Sequence, residues 1–152
     1  MDDAEWQWIR IRHPWTHRFF IHWPDATPAS HQNIRVYDRQ GLDYARLVWK
    51  VCHTCRRGVI SKISLSPEVQ RQGLGAILID RALRDGPTYD WTTSPQSPEG
   101  KTFFAVMAVR TGASFTGGAK TCEHINGVRA GRTHPVLDRH LQRTAPRVPS
   151  WP

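Results

Sequence analysis

Up to residue 65 the apolar positions recur with a period near two, the spacing of a half-buried strand. "EWQWIRIRH" (5–13) sets Trp6, Trp8, Ile9 and Ile11 among polar residues, with one break in the alternation. "RFFIHW" (18–23) is a short aromatic run, and "NIRVYD" (33–38) alternates Ile34 and Val36 with polar neighbours. Between them "PDATPAS" (24–30) is rich in turn formers and reads as a loop. "YARLVWKVCHTCRRGVISKISL" (44–65) predicts a hairpin: 47–51 run up, "CHTCRRG" turns, and 59–65 return. No amphipathic helix is predicted before residue 70.

From Gly73 the period changes to that of a helix. Leu74, Ile77, Leu78, Ala82 and Leu83 share one stripe, with Asp80, Arg81, Arg84 and Asp85 mostly outside it. The pattern predicts a helix over 72–85, stopped by Gly86-Pro87. "YDWTTS" (89–94) is a short strand, and "SPQSPEG" opens a second helix over 99–111, capped by Ser94 or Ser97 and closed by Gly112. After "ASFTGGAKTCEHI" (113–125) apolar residues thin out. Residues 129–152 hold five arginines, four prolines and a single aspartate, the composition of a basic, poorly ordered tail. The expected organisation is one domain over 1–128, a mixed, mostly antiparallel sheet flanked by helices (α/β, or α+β), followed by that tail.

Composition narrows the class. A chain of 152 residues with 39% hydrophobic content and seven tryptophans can build a core of its own. Its apolar runs all fall short of the roughly 20 residues that span a bilayer. The acidic start "MDDAEWQW" lacks an apolar signal core, so a cytoplasmic protein without a membrane partner is expected. The formal net charge of +8 favours an anionic partner: nucleic acid, a phosphorylated cofactor or an acidic substrate. Tryptophans 6, 8, 15 and 23 are expected in strand cores rather than stacked on bases.

Two glycines, Gly73 and Gly75, stand where the first helix begins, although glycine weakens a helix by roughly 1 kcal/mol relative to alanine. First-turn amides lack intrahelical partners, and the helix dipole adds positive potential there, so a bare backbone makes an anion site. The Walker pattern is excluded because no Gly-Lys-Ser/Thr follows, and the dinucleotide fingerprint because only two glycines occur. "LSPEVQRQGLGA" instead resembles the acetyl-coenzyme A loop of the GNAT acetyltransferase superfamily. That pattern is Gln/Arg-x-x-Gly-x-Gly/Ala after an apolar strand end and a proline, matched here by Leu65, Pro67, Gln70, Gly73 and Gly75.

The resemblance runs from about residue 44 to 115. It implies that the backbone of Gln70, Arg71, Gln72, Gly73, Leu74 and Gly75 holds the coenzyme's pyrophosphate. It also implies that "YDWTTS" splays from its neighbour, leaving a slot in which Ile63, Ser64 and Leu65 meet the pantetheine arm and thioester. Two features depart from the family. Strands replace the usual N-terminal helices, and the position four before Gly112, where many members carry an acid tyrosine, is Ala108. No catalytic residue is therefore assigned.

The cysteines and histidines give a second signal. "CHTC" (52–55) resembles a zinc knuckle at a hairpin tip, and "CEH" (122–124) supplies Cys122 and His124 to complete a tetrahedral site with Cys52 and Cys55. His53, His134 and His140 are alternative ligands, and Cys-x-x-Cys is also the spacing of a redox pair. His13, His17, His22 and His31 show no ligand spacing. The expected function is transfer of an acetyl group from acetyl-coenzyme A to an amine, on an acceptor that the basic tail recruits if it is a nucleic acid or nucleotide-linked. The rivals are a non-catalytic acyl-coenzyme A-binding module and a zinc-stapled nucleic-acid-binding module.

Overall fold

The computed structural model describes residues 18–38, 40–70, 73–129, 134–138 and 141. The strand expected over 5–13 lies outside them, as do Arg71, Gln72 and most of 129–152. Among the described residues no helix is long and apolar enough to cross a membrane.

The period-two segments form strands. β1 (Phe19–Trp23), β2 (Gln32–Tyr37), β3 (Asp43–Cys52) and β4 (Arg57–Leu65) pair antiparallel in succession. The helical pattern becomes α1 (Leu74–Leu83), and β5 (Asp90–Thr93) then joins β4 in parallel. α2 (Pro98–Thr111) follows. Its N-cap is Ser97, whose hydroxyl accepts from the Gly100 amide at 3.1 Å, and Gly112 ends it in the left-handed conformation, φ 80°. Three short elements follow among the described residues: β6 (Thr116–Gly117), α3 (Glu123–Asn126) and β7 (Val136–Leu137). Among the described residues the result is one seven-stranded sheet in the order β6-β5-β4-β3-β2-β1-β7, mixed and mostly antiparallel.

Alternation along β3 sorts side chains to two faces. Ala45, Leu47, Trp49 and Val51 join the main core with Leu74, Leu78, Ile79 and Ala82 of α1 and Phe104 and Met107 of α2. Cys52 instead joins Ala29, Val59 and Ile125 in a smaller cluster. Phe19, Ile21 and Tyr37 form a third. On α1 the buried stripe is turned slightly from its expected centre: Ile79 is fully buried and Ile77 only partly so.

Part of the segment expected to be a tail is built into the fold. Val136–Leu137 pairs with β1 at Ile21 and His22, Asp138 is buried, and Leu141 is 2% exposed in the main core. The physical reason is that an edge strand is held chiefly by main-chain bonds and needs few apolar residues. The buried Asp138 carboxylate is compensated by Arg81 of α1, whose Nε donates to it at 3.0 Å.

Candidate functional site

β4 changes character midway. From Arg57 to Ile60 it lies between β3 and β5, and Gly58, Val59 and Ile60 are buried. Pairing with β5 ends at Ile60–Thr93. At the same point the β3 ladder shifts register: Val48 faces Lys62 and Trp49 faces Ile60, which leaves Ser61 as the extra residue of a bulge. A bulge bends and twists its strand. Ser94 seals the fork, its amide donating to the Ile60 carbonyl at 3.0 Å and its hydroxyl to the Ser61 carbonyl at 2.9 Å. Beyond it, residues 62–65 keep β3 on one side and lose β5 on the other. Ile63 and Leu65 are half-buried against the main core, while Lys62 and Ser64 are exposed.

This free half-strand leads directly into the glycine loop. A short 3-10 turn, Pro67–Val69, follows Leu65, and Gln70 turns back so that its side-chain amide donates to the Leu65 carbonyl at 3.0 Å. Gly73 caps α1 with φ 80°, ψ 1°, and a side chain built there would meet no atom within 4 Å. Both facts favour glycine, one through backbone conformation and the other through an open approach to the helix end. Gly75 has a further reason. A Cβ there would stand 2.9 Å from the Phe103 ring, so its bareness also serves α1–α2 packing. Leu74 is fully buried, leaving only its backbone for a ligand.

A strand that parts from its parallel neighbour at a bulge, and then feeds a glycine-capped helix, is the arrangement implied for the coenzyme slot. The fold is a mixed, mostly antiparallel sheet flanked by helices, the class expected from the sequence. No family model matches it, and no curated protein does. Solved structures do match, and those compared are all described as acetyltransferases. A candidate acetyltransferase from Deinococcus radiodurans R1 is 15% identical over 65% of this chain and 67% of its own, with TM-score 0.46. A spermidine N-acetyltransferase from Vibrio cholerae is 17% identical over 70% of this chain and 56% of its own, with TM-score 0.41. A nourseothricin acetyltransferase is 22% identical over 36% of this chain, with TM-score 0.34, and this chain spans only 32% of its length. Likeness at this level carries no argument for this chain, and the description of the site rests on the strand geometry itself.

Of the residues expected to hold the coenzyme, Ile63 to Leu65 lie on the half of β4 beyond β5, Gln70 follows the 3-10 turn and Gly73 to Gly75 open α1, while Arg71 and Gln72 lie outside the described residues. Ser61 and Ser94 were not expected there. A bulge leaves no periodic signature, and Ser94 read as a helix cap. Ala108 lies half-buried against the main core on α2 and has no proton to give. The open hollow of about 480 Å³ lined by Asp80, Leu83, Arg84, Pro87, Arg110 and Thr111 lies by the C-terminal ends of the helices, away from Gly73.

At the other end of β4 the second expected group also assembles. One ligand atom each from Cys52, Cys55, Cys122 and His124 lies within 4.8 Å of all the others. Cys55 Sγ stands 3.3 Å from His124 Nδ1, and the Cys55 amide donates to Cys52 Sγ at 3.4 Å. His53 takes another partner, with its Nδ1 2.8 Å from the Tyr89 hydroxyl. Desolvation and hydrogen bonds to Cys52 and Cys122 push the Cys55 thiol up to about 11. Desolvation also opposes ionisation of Cys122, but the Ile125 amide and the neighbouring side chains outweigh it and draw that thiol down to about 7.

Proposed function

We propose that this protein moves an acetyl group from acetyl-coenzyme A to an amine acceptor. One observation carries the reading: β4 loses β5 at the Ser61 bulge, and its free half ends at the glycine-capped start of α1. A strand edge without a neighbour among the described residues offers main-chain donors and acceptors to a ligand that bears amides of its own. In this reading Ile63, Ser64 and Leu65 align the pantetheine arm, and the amides of 70–75 take the pyrophosphate.

The coenzyme supplies an acyl carbon already activated as a thioester. What the chain must supply is placement of the acceptor nitrogen against that carbon, a contribution that reaches about 7–11 kcal/mol when the geometry is fixed. With Ala108 at the position where many GNAT members carry an acid, the proton released by the amine and the one taken by the departing thiolate pass through water. The same alanine favours a second reading, a module that holds an acyl-coenzyme A without turnover.

Calorimetric titration with acetyl-coenzyme A tests the shared part. The wild-type chain should bind it. Gly73→Val, which cannot hold φ 80° without strain, should weaken binding at least tenfold while far-UV circular dichroism stays unchanged. Wild-type affinity in that variant would overturn the loop assignment. Release of free thiol with an amine panel then separates the two readings: turnover supports the transferase, and tight binding without turnover supports the module.

A further inference from the structure

Away from the coenzyme slot, the chain brings all of its cysteines to one point. It has three, and Cys52, Cys55 and Cys122 meet His124 where the tip of the β3–β4 hairpin touches the segment around α3. We propose that these four side chains hold one zinc ion, and that the ion fastens the α3 segment to the hairpin.

The geometry suits that metal. A tetrahedral zinc with Zn–S of about 2.3 Å and Zn–N of about 2.0 Å has ligand–ligand edges of roughly 3.5–3.8 Å. The Cys55 Sγ–His124 Nδ1 distance of 3.3 Å is already near such an edge, and the full set within 4.8 Å closes by movements well under the length of a bond. Three thiolates and an imidazole make a donor set that selects zinc over the oxygen-loving cations. The turn is also shaped for a sulfur ligand. The Cys55 amide bonds back to Cys52 Sγ, the Ile125 amide serves Cys122 Sγ, and Arg56 takes φ 53° to close the knuckle. A non-glycine residue in that conformation is held by its surroundings. Arg56 donates from Nη2 to Thr88 Oγ1 at 2.7 Å, and its guanidinium lies 5.0 Å from the Tyr89 ring centroid.

The segment needs such a fastening. α3 is a four-residue helix whose buried side chain is Ile125, and its cluster otherwise contains only Ala29, Cys52 and Val59 as buried members. Among the described residues it is also tied to the sheet by Lys50, whose Nζ donates to the Ile125 carbonyl at 3.3 Å. One isoleucine contributes about 1.5–3 kcal/mol on burial, less than the cost of ordering about ten residues of chain. Metal binding supplies folding free energy directly. The nine residues of β4, about 3.3 Å apiece, separate this centre from the glycine loop, so it stands independently of acetyl transfer.

Elemental analysis of the full chain, purified without added metal or chelator, should find close to one zinc per chain. Cobalt(II) exchanged into the protein should give the intense 600–750 nm bands of a tetrahedral sulfur-rich site. Cys122→Ser and His124→Ala should lose most of the zinc, while His124→Cys should retain it with shifted cobalt bands. Chelation of the wild type should lower its Tm. Zinc below a tenth of an equivalent together with a weak, octahedral cobalt spectrum would overturn the proposal. So would a Cys52–Cys55 disulfide in freshly purified protein, or full zinc content in both Cys122→Ser and His124→Ala.

Discussion

Gly58 shows how much a single hydrogen can decide. A Cβ at that position would lie 2.6 Å from atoms of the Trp91 indole, which is 1% exposed and donates from Nε1 to the Gly86 carbonyl at 2.8 Å. The ring is anchored at its far edge, so it cannot swing away cheaply. Gly58→Ala should therefore destabilise the fold by about 2–3 kcal/mol, at the upper end for overpacking. Chemical denaturation with an unchanged m-value is the measurement, and a loss under 0.5 kcal/mol would show that Trp91 has room to move. In the sequence Gly58 looks like part of a turn. Its reason is the parallel neighbour across the sheet, Gly58 opposite Trp91, and a contact of that range leaves no local trace.

At the scale of elements, the strands and the two long helices were legible because burial imposes a period. β1, β2, β3, β4, α1, β5 and α2 all stand where the apolar pattern put them. β6, β7 and α3, with two to four residues each, are too short to show any period; they depend on what the rest of the chain presents to them. The candidate site was half legible. The glycines and cysteines announced themselves, but the Ser61 bulge and the end of the β4–β5 ladder are properties of pairing. Gly75 shows the limit of a motif: it fits an anion loop, yet it also lets α1 approach Phe103 of α2. That double role predicts coupling between the helices. Gly75→Ala should cost about 1–3 kcal/mol, and adding Phe103→Leu should recover part of the loss, giving a non-additive cycle. Strict additivity in denaturation midpoints would mean that the two helices do not meet at this contact.

Over the whole molecule, the last described part of the chain is tied to the first helix by charge. Arg81 donates from Nε to Asp138 at 3.0 Å and from Nη1 to Asp85 at 3.1 Å, and it lies over the Trp49 ring at 5.5 Å from the centroid. Trp49 Nε1 donates to Asp85 at 2.9 Å, and His22 stacks on the same indole at 5.7 Å. Arg81→Met would leave the Asp138 side chain, 7% exposed, charged and without that partner. The expected loss is about 3–5 kcal/mol at pH 7, and the double variant Arg81→Met with Asp138→Asn should be more stable than Arg81→Met alone. Acid acts on the same network. Burial lowers the His22 pKa below 6.5, against the opposing hydrogen bond from its Nε2 to Gln32 Oε1, so the unfolded chain binds the proton more readily. Asp138 is also lowered from 3.8: desolvation works the other way, but the Leu141 amide and Arg81 prevail. Both shifts have one sign. Stability is fully present above the unfolded values and declines as pH falls, first below about 6.5 through His22 and then below about 3.8 through Asp138. Urea midpoints taken between pH 7.5 and 5 should fall with acid in the wild type, and the fall should be shallower in His22→Gln. An identical slope in that variant would overturn the assignment of this acid sensitivity to His22.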